Sequence, residues 1–482
     1  MRTPSTKPLV ALLLILLSWT ARGKDVLLAD ASAVRQALKK TQPGDTLIMR
    51  DGTWHDAKII LDVHGTASKP ITLRAQTPGG VILSGASSIR IGGDFIVVQG
   101  LLFRDGAMPG GQVIIFRSES SHEAHNCRVT DCAIIDYNPA SQGTNSYWVS
   151  MYGLSNRLDH CYFHGKNDES PLLTVWVGSE PNYHLIDHNS FFKRPPLGRN
   201  GGETVRIGTS QVSMLNSRAV LEYNYFEDCS GEAEYISNKS CENIYRYNTF
   251  VECQGALVLR HGNRCTVSGN WFFGKNREGT GGIRVIGEDH RIYNNYLCQL
   301  GGTNFESAMP FVNGIPNSKP NEYFQIKRAT VAFNTLVDCR QSITFGVGIG
   351  FRNRTQPAMD CTIANNIVVS SNAPLIRLQD KPLNTTWTGN IVFGADPGLE
   401  NPGILKVDPL LRLGAPGIYR PGSGSPALAG ASGDFAFVTE DIEGKPRLGK
   451  KDIGCFQASP GGAVHHPLNP QETGVPWLHQ KN

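Results

Sequence analysis

Two glutamates, a lysine, an arginine and a histidine stand close together in the middle of the chain, in Glu232-Ala233-Glu234, Asn238-Lys239-Ser240 and Leu259-Arg260-His261-Gly262. Glu232 and Glu234, two apart, point to one face if the segment is a strand. Carboxylates so placed repel unless a cation lies between them. Calcium is the natural one, a hard ion that takes carboxylate and amide oxygens, here from Glu232, Glu234 and Asn200. Lys239 and Arg260, 21 residues apart, add an ammonium and a guanidinium. The set meets the needs of a β-elimination on a uronic acid polymer: neutralisation of the C6 carboxylate, a base for the C5 proton and an acid for the departing O4. Calcium would do the first as a Lewis acid. Lys239 would be the base where Ca2+ and Arg260 draw its pKa toward neutrality. Arg260 would serve the leaving side, mainly through its charge, because a guanidinium is a poor proton donor. The plain alternative for paired glutamates is a solvated outer face. The neighbouring Lys239, Arg260 and His261 favour a site.

These residues need a scaffold that brings distant segments side by side, and the chain repeats in a way that supplies one. A short unit, Asn-x-aromatic or Asn-x-aliphatic, recurs at Asn189, Asn224, Asn248, Asn270, Asn295, Asn334, Asn366 and Asn390, with earlier relatives at Cys132 and Cys161. The intervals are 35, 24, 22, 25, 39, 32 and 24 residues, so a coil of 22 to 25 residues carries insertions in some turns. Periods in this range mark a solenoid. Alternating segments such as Arg218 to Asn224 precede the units, with no apolar stripe of helical period, so the elements are short strands. The expected fold is all-β, a single-domain parallel β-helix whose strands stack about 4.8 Å apart, with the repeated Asn side chains forming an internal ladder. Ala29 to Lys39 reads as a short amphipathic helix capping the N-terminal end, since an open solenoid exposes its core. Pro397 to Gln457 reads as a last coil and cap.

Counted from the ladder Asn of each coil, Asn200, Glu232, Glu234, Lys239, Arg260 and Arg284 fall 8 to 15 residues on. They therefore share one sector of consecutive coils.

The net charge is +4, and Arg2, Lys7 and Arg22 contribute three of those charges near the N-terminus. Without them the balance is +1, so an anionic partner must be held by a local patch. No basic run or nucleic-acid motif occurs. Arg2, Lys7, the apolar run Leu9 to Trp19 and Ala21-Arg22-Gly23 read as a secretory signal over 1–23, too short to remain as a membrane anchor. A secreted or periplasmic protein is expected, with its domain over 24–457 and a Gly-, Pro- and His-rich flexible tail over 458–482. The eleven cysteines show no metal-finger spacing. Cys229, Cys253 and Cys339 recur at one position of the repeat, as buried stacked thiols would, while disulfides between coils stay open in an exported protein.

Asn200-Gly-Gly-Glu-Thr-Val-Arg-Ile-Gly-Thr-Ser210, Glu232-Ala-Glu234, Asn238-Lys-Ser240 and Leu259-Arg-His-Gly262 resemble the signature of polysaccharide lyase family six, the alginate lyases and dermatan-sulfate lyases of the chondroitinase B type. The resemblance implies a right-handed parallel β-helix and calcium-assisted elimination. It matches Lys239 to the family's base, Arg260 to its acid, and Asn200, Glu232 and Glu234 to its calcium ligands. Alginate is the expected substrate, with dermatan sulfate the alternative. Arg206, His261, Arg284, Arg352 and Arg354 are candidate contacts to neighbouring uronate carboxylates, because Arg suits planar bidentate binding. Two other readings use the same coil. A glycoside hydrolase would need opposed acids, which two glutamates on one strand cannot supply. A non-catalytic carbohydrate-binding solenoid would share the fold alone.

Overall fold

The computed structural model describes residues 23–414 and 417–479. The expected secretory signal therefore lies almost wholly outside the described residues. Three long sheets of 14, 11 and 14 strands run along the molecule, each built from strands that follow one another a coil at a time. One coil supplies Val220–Glu222, Tyr225–Cys229 and Glu234–Lys239, and the next supplies Ile244–Arg246, Thr249–Val251 and Gly255–His261. Corresponding strands pair in parallel, as in Tyr225 opposite Thr249 and Ser237 opposite Val258. This is the parallel β-helix the repeat foretold.

The repeated Asn-x-aromatic unit explains why the coils stack in register. Each ladder Asn is buried and donates from its amide to the carbonyl of the next, at 3.0 Å from Asn189 to Asn224, from Asn224 to Asn248 and from Asn248 to Asn270. The ladder continues to Asn390. Two residues on, Phe191, Phe226, Phe250 and Phe272 stack at 4.6 to 4.8 Å between centroids. That distance is the strand spacing of a sheet, so amides and rings repeat with the backbone. The residue before each ladder Asn turns the corner in a left-handed conformation, among them Tyr223 (φ 52°), Tyr247 (φ 56°) and Phe333 (φ 57°). Such a conformation is costly for a bulky residue. The buried amide that follows, saturated with partners, offsets it.

The N-terminal cap is as expected, over Ala31–Leu38. Asp30 accepts from the Ala33 N–H at 2.8 Å, and Val34 is buried in the core. All eleven cysteines are free and buried, which favours stacked thiols over disulfides. The C-terminal region departs from expectation. After Ile404–Lys406, the last strand of the long sheets, and a hairpin of Leu411–Gly414 with Ile418–Pro421, the chain turns back along the side of the coil. Ile442 and Phe456 cover Trp271 and Tyr296, and Phe435 and Val438 cover Ala332, Phe333 and Ala364. The segment expected as a flexible tail is likewise laid on the wall, as far as it is described. Ser190 and Thr473 share a 2.7 Å hydrogen bond, and Trp477 and Val475 pack on Leu102 and Ala133. Its composition suggested a tail, but these few apolar residues suffice to dock it. No helix among the described residues is long and apolar enough to cross a membrane.

Candidate active site

The 11-stranded sheet carries the candidate residues on its outer face. Glu234–Lys239 pairs with Val205–Gly208 on one side and with Gly255–His261 on the other. Irregularities in that second pairing set the geometry. Between Asn238 opposite Leu259 and Lys239 opposite His261 the register shifts by one, so Arg260 is the extra residue of a bulge. A bulge re-aims the side chains around it, and here it sets Arg260 beside Lys239's coil. The outer face under Arg260 is apolar. Ala256, Val258, Ile286, Val312 and Val347 cluster there, with Phe305 and Tyr323 packed on them.

Three carboxylates gather on one side. Glu203 lies 3.5 Å from the Lys239 ammonium, and Glu234 lies 3.5 Å from the Arg260 guanidinium and 3.9 Å from Arg284. Ser237 donates to Glu234 at 2.5 Å, and the Gly201 N–H donates to Glu232 at 3.1 Å. One buried oxygen each of Glu203 and Glu232 has no hydrogen-bond partner. Burial, followed by the charges of Glu203 and Glu234, pushes the Glu232 carboxyl up to about 8. A cluster that must take up a proton near neutrality is one that a cation would relieve. The donors are all hard oxygens, as calcium prefers. Asn200 stands at the exposed rim, in a cleft of about 440 Å³ that it lines with Gly231, Glu232, Ala233 and Glu306. Among the described residues no three acidic or imidazole side chains already converge on one metal position. The residues thus fit calcium in kind.

Cations gather on the other side. The Lys239 and Arg260 side chains are only 17% and 14% exposed, so the outer wall on which they were expected is partly roofed. The roof is the inserted segment before Asn334. Its Glu322 carbonyl accepts from Arg260 at 2.9 Å, and the Tyr323 ring lies 3.9 Å from the guanidinium carbons of both Arg260 and Arg354. His261 is buried with its Nε2 2.7 Å from Arg260 and 3.0 Å from the Glu322 carbonyl. Burial, then Arg260 and Lys239, draws its imidazole down to about 3. It is therefore neutral at any working pH and contributes hydrogen bonds, not charge.

The five expected sugar contacts divide. Arg354 is 5% exposed, and two of its guanidinium nitrogens have no partner, an arrangement suited to an anion. Burial lowers its pKa from the usual guanidinium value. Arg206, half-buried one coil before Lys239, lies 5.6 Å from the Trp176 ring. Arg284 is 3% exposed and fully engaged: it donates to Phe305 and Ala233 carbonyls at 2.7 and 3.1 Å and lies 3.4 Å from Glu306. Its guanidinium holds the Ala233 carbonyl between Glu232 and Glu234, so it is tied to the carboxylate side of the cluster. Arg352 is exposed on the turn Phe351–Asn353, over the Phe351 ring and outside the cluster.

Glu203, Glu306, Tyr323 and Arg194 were not singled out from the sequence. Glu203 could have been, because it falls 14 residues after Asn189, in the same sector as the rest. Arg194 is buried beneath the loop that carries Asn200 and Glu203, and donates to the Gly202, Asp168 and Ser170 carbonyls.

The sequence model of chondroitinase B matches residues 28–407. Among solved structures, the PL6 family alginate lyase AlyGC superposes with a TM-score of 0.84 at 37% identity, over 94% of this chain and 58% of that one. The chain thus spans little more than half of AlyGC's length. A mannuronic acid specific family 6 lyase from human gut microbiota gives 0.73 at 32% identity, over 80% of this chain and 91% of its own. The PL6 lyase Pedsa3628 from Pseudopedobacter saltans gives 0.72 at 25% identity, covering 94% and 99%. No curated protein matches by sequence. With the family model covering residues 28–407 and relatives at 37% and 32% identity over most of the chain, the chain belongs to polysaccharide lyase family six.

Proposed function

We propose that the protein is a secreted or periplasmic lyase that cleaves alginate by calcium-assisted β-elimination, leaving an unsaturated uronate at the new end. The observation that carries this reading is the placement of Lys239 and Arg260 on adjacent strands beside a carboxylate cluster with unsatisfied buried oxygens. The relatives at 37% and 32% identity, an alginate lyase and a mannuronic acid specific lyase, favour alginate over dermatan sulfate.

Glu203, Glu232 and Glu234, with Asn200 at the rim, would hold the ion. When bound, calcium supplies Lewis-acid neutralisation of the C6 carboxylate, which makes the C5 proton more acidic. Lys239 accepts that proton once its amine is free of the Glu203 contact. Arg260 faces the departing O4 and stabilises the charge that builds there. Its guanidinium is held in place by the Glu322 carbonyl and by the Tyr323 ring. His261, neutral and wedged against Arg260, fixes the direction of that guanidinium. Arg354, buried with free donors, binds a neighbouring carboxylate.

The test is to incubate the protein with alginate, dermatan sulfate and pectate in turn, and to follow the ultraviolet absorbance of the unsaturated uronate. Absorbance from alginate alone is expected. Absorbance from dermatan sulfate alone moves the assignment to the alternative substrate. Chain cleavage without absorbance makes the protein a hydrolase.

A further inference from the structure

Five consecutive coils place Arg117, Tyr152, Trp176, Gly208 and Lys239 in one lateral row. Met151 pairs with Val175, Val175 with Ile207, and Gly208 with Lys239. One residue further along each strand therefore brings Tyr152 beside Trp176, and Trp176 beside Gly208. The Arg117 guanidinium lies 3.8 Å from the Tyr152 ring centroid, and the Tyr152 and Trp176 rings stack 5.5 Å apart at 6°. Gly208 breaks the row. Its φ is +82°, and a Cβ there would meet the Lys239 carbonyl oxygen at 2.3 Å, so the backbone itself keeps a gap between Trp176 and Lys239.

A groove of about 420 Å³ opens along this row, lined by Arg117, Glu123, His125, Tyr152, Trp176 and Glu180. None of these residues takes part in the elimination. Trp176 is two coils from Lys239, or roughly 10 Å at the spacing of stacked strands. That is beyond the sugar that Lys239 and Arg260 attack.

We propose that this groove is a distal subsite, which holds a uronate of the same polymer two coils from the catalytic pair, toward the N-terminal coils. The proposal rests on the reading of the protein as a uronate lyase. The apolar C–H face of a pyranose packs on Trp176, as sugars do on aromatic rings with a polar edge. The indole N–H of Trp176, buried and without an acceptor among the described residues, donates to a ring hydroxyl. Arg117 pairs with the carboxylate. Glu123 and Glu180 keep the groove of mixed charge, which suits one carboxylate per ring and disfavours a densely sulfated chain.

The test compares kcat/KM for an alginate hexamer and an alginate trimer. The hexamer is expected to exceed the trimer by about tenfold, one contact's worth of binding. Trp176→Ala should bring that ratio close to one, and Trp176→Phe should retain most of it. Arg117→Gln, outside the core, should lower the ratio likewise and serves where Trp176→Ala does not fold. An unchanged ratio in these variants, or an equal fall for both oligomers, overturns the proposal. Should the wild type cleave neither oligomer, the reading of the activity falls, and calorimetric binding of the hexamer decides the subsite. Binding weakened about tenfold by Trp176→Ala supports it, and equal affinity or no binding by the wild type overturns it.

Discussion

Glu232 is the residue whose environment says most about the site. Burial and two neighbouring carboxylates raise its pKa to about 8, against a value near 4.3 in an unfolded chain. The folded protein therefore binds this proton more tightly than the unfolded one. The stability it lends is fully present below about pH 4.3 and is lost as pH rises through about 8. In chelator, the melting temperature should fall between pH 5 and 8 by more than in calcium, because the ion replaces the proton. Glu232→Gln should flatten that dependence, stabilise the calcium-free protein at pH 8 by at least about 1 kcal/mol, and remove the calcium-induced rise in melting temperature. Identical pH profiles with and without calcium would argue against an ion at Glu232. Arg284 offers a second test at this scale. It holds the Ala233 carbonyl between the two glutamates, so Arg284→Lys should weaken calcium binding measured by calorimetry as well as turnover. A change confined to KM would instead mark Arg284 as a sugar contact.

The element that makes the site possible is the coil, and its ladders are where stability can be probed. Asn248 accepts from Asn224 and donates to Asn270 at 3.0 Å each, in full burial. Asn248→Ala strands a donor and an acceptor. It should cost about 2–6 kcal/mol in denaturant unfolding, one to three for each group left unsatisfied. A second ladder of charges lies on another wall. Burial would raise Asp159, but Arg128 and His160 hold it well below the usual carboxylate range, and Arg157 with His188 lowers Asp187 likewise. Depressed carboxylates stabilise the fold above their unfolded pKa and lose that contribution as pH falls beneath it. Thermal stability should therefore drop below about pH 4, and Asp159→Asn should reduce the drop. The Asn ladder was legible in the sequence because one residue type recurs at one position of the repeat. Counting from it found Asn200, Glu232, Glu234, Lys239 and Arg260, since regular coils turn sequence distance into lateral position. It failed for Tyr323, 28 residues after Asn295, in the 39-residue interval where an insertion breaks the count, whereas Glu306, 11 after Asn295, falls in the counted sector. It also could not tell that Arg284 and Arg354 are covered, because burial there depends on Phe305 and Tyr323 folding over the sheet.

At the scale of the whole molecule, the coil works as a ruler with one row of chemistry along it. The cationic and carboxylate sides share the coils around Glu234–Lys239, and the aromatic groove sits on the coils just before them in the same sheet. The C-terminal segment is laid along other walls, on Trp271, Ala332 and Leu102. Composition hid that arrangement, since docking by scattered Phe, Ile and Trp leaves no periodic pattern. The central claim is that Lys239 and Arg260 together perform an elimination. Its most direct measurement is the initial rate of ultraviolet absorbance from alginate with calcium, for the wild type, Lys239→Ala and Arg260→Ala, alongside the circular dichroism of each. The account predicts unsaturated product from the wild type and a loss of about 10²–10⁴-fold in each variant with the β spectrum unchanged. Turnover at the wild-type rate in either folded variant would contradict it.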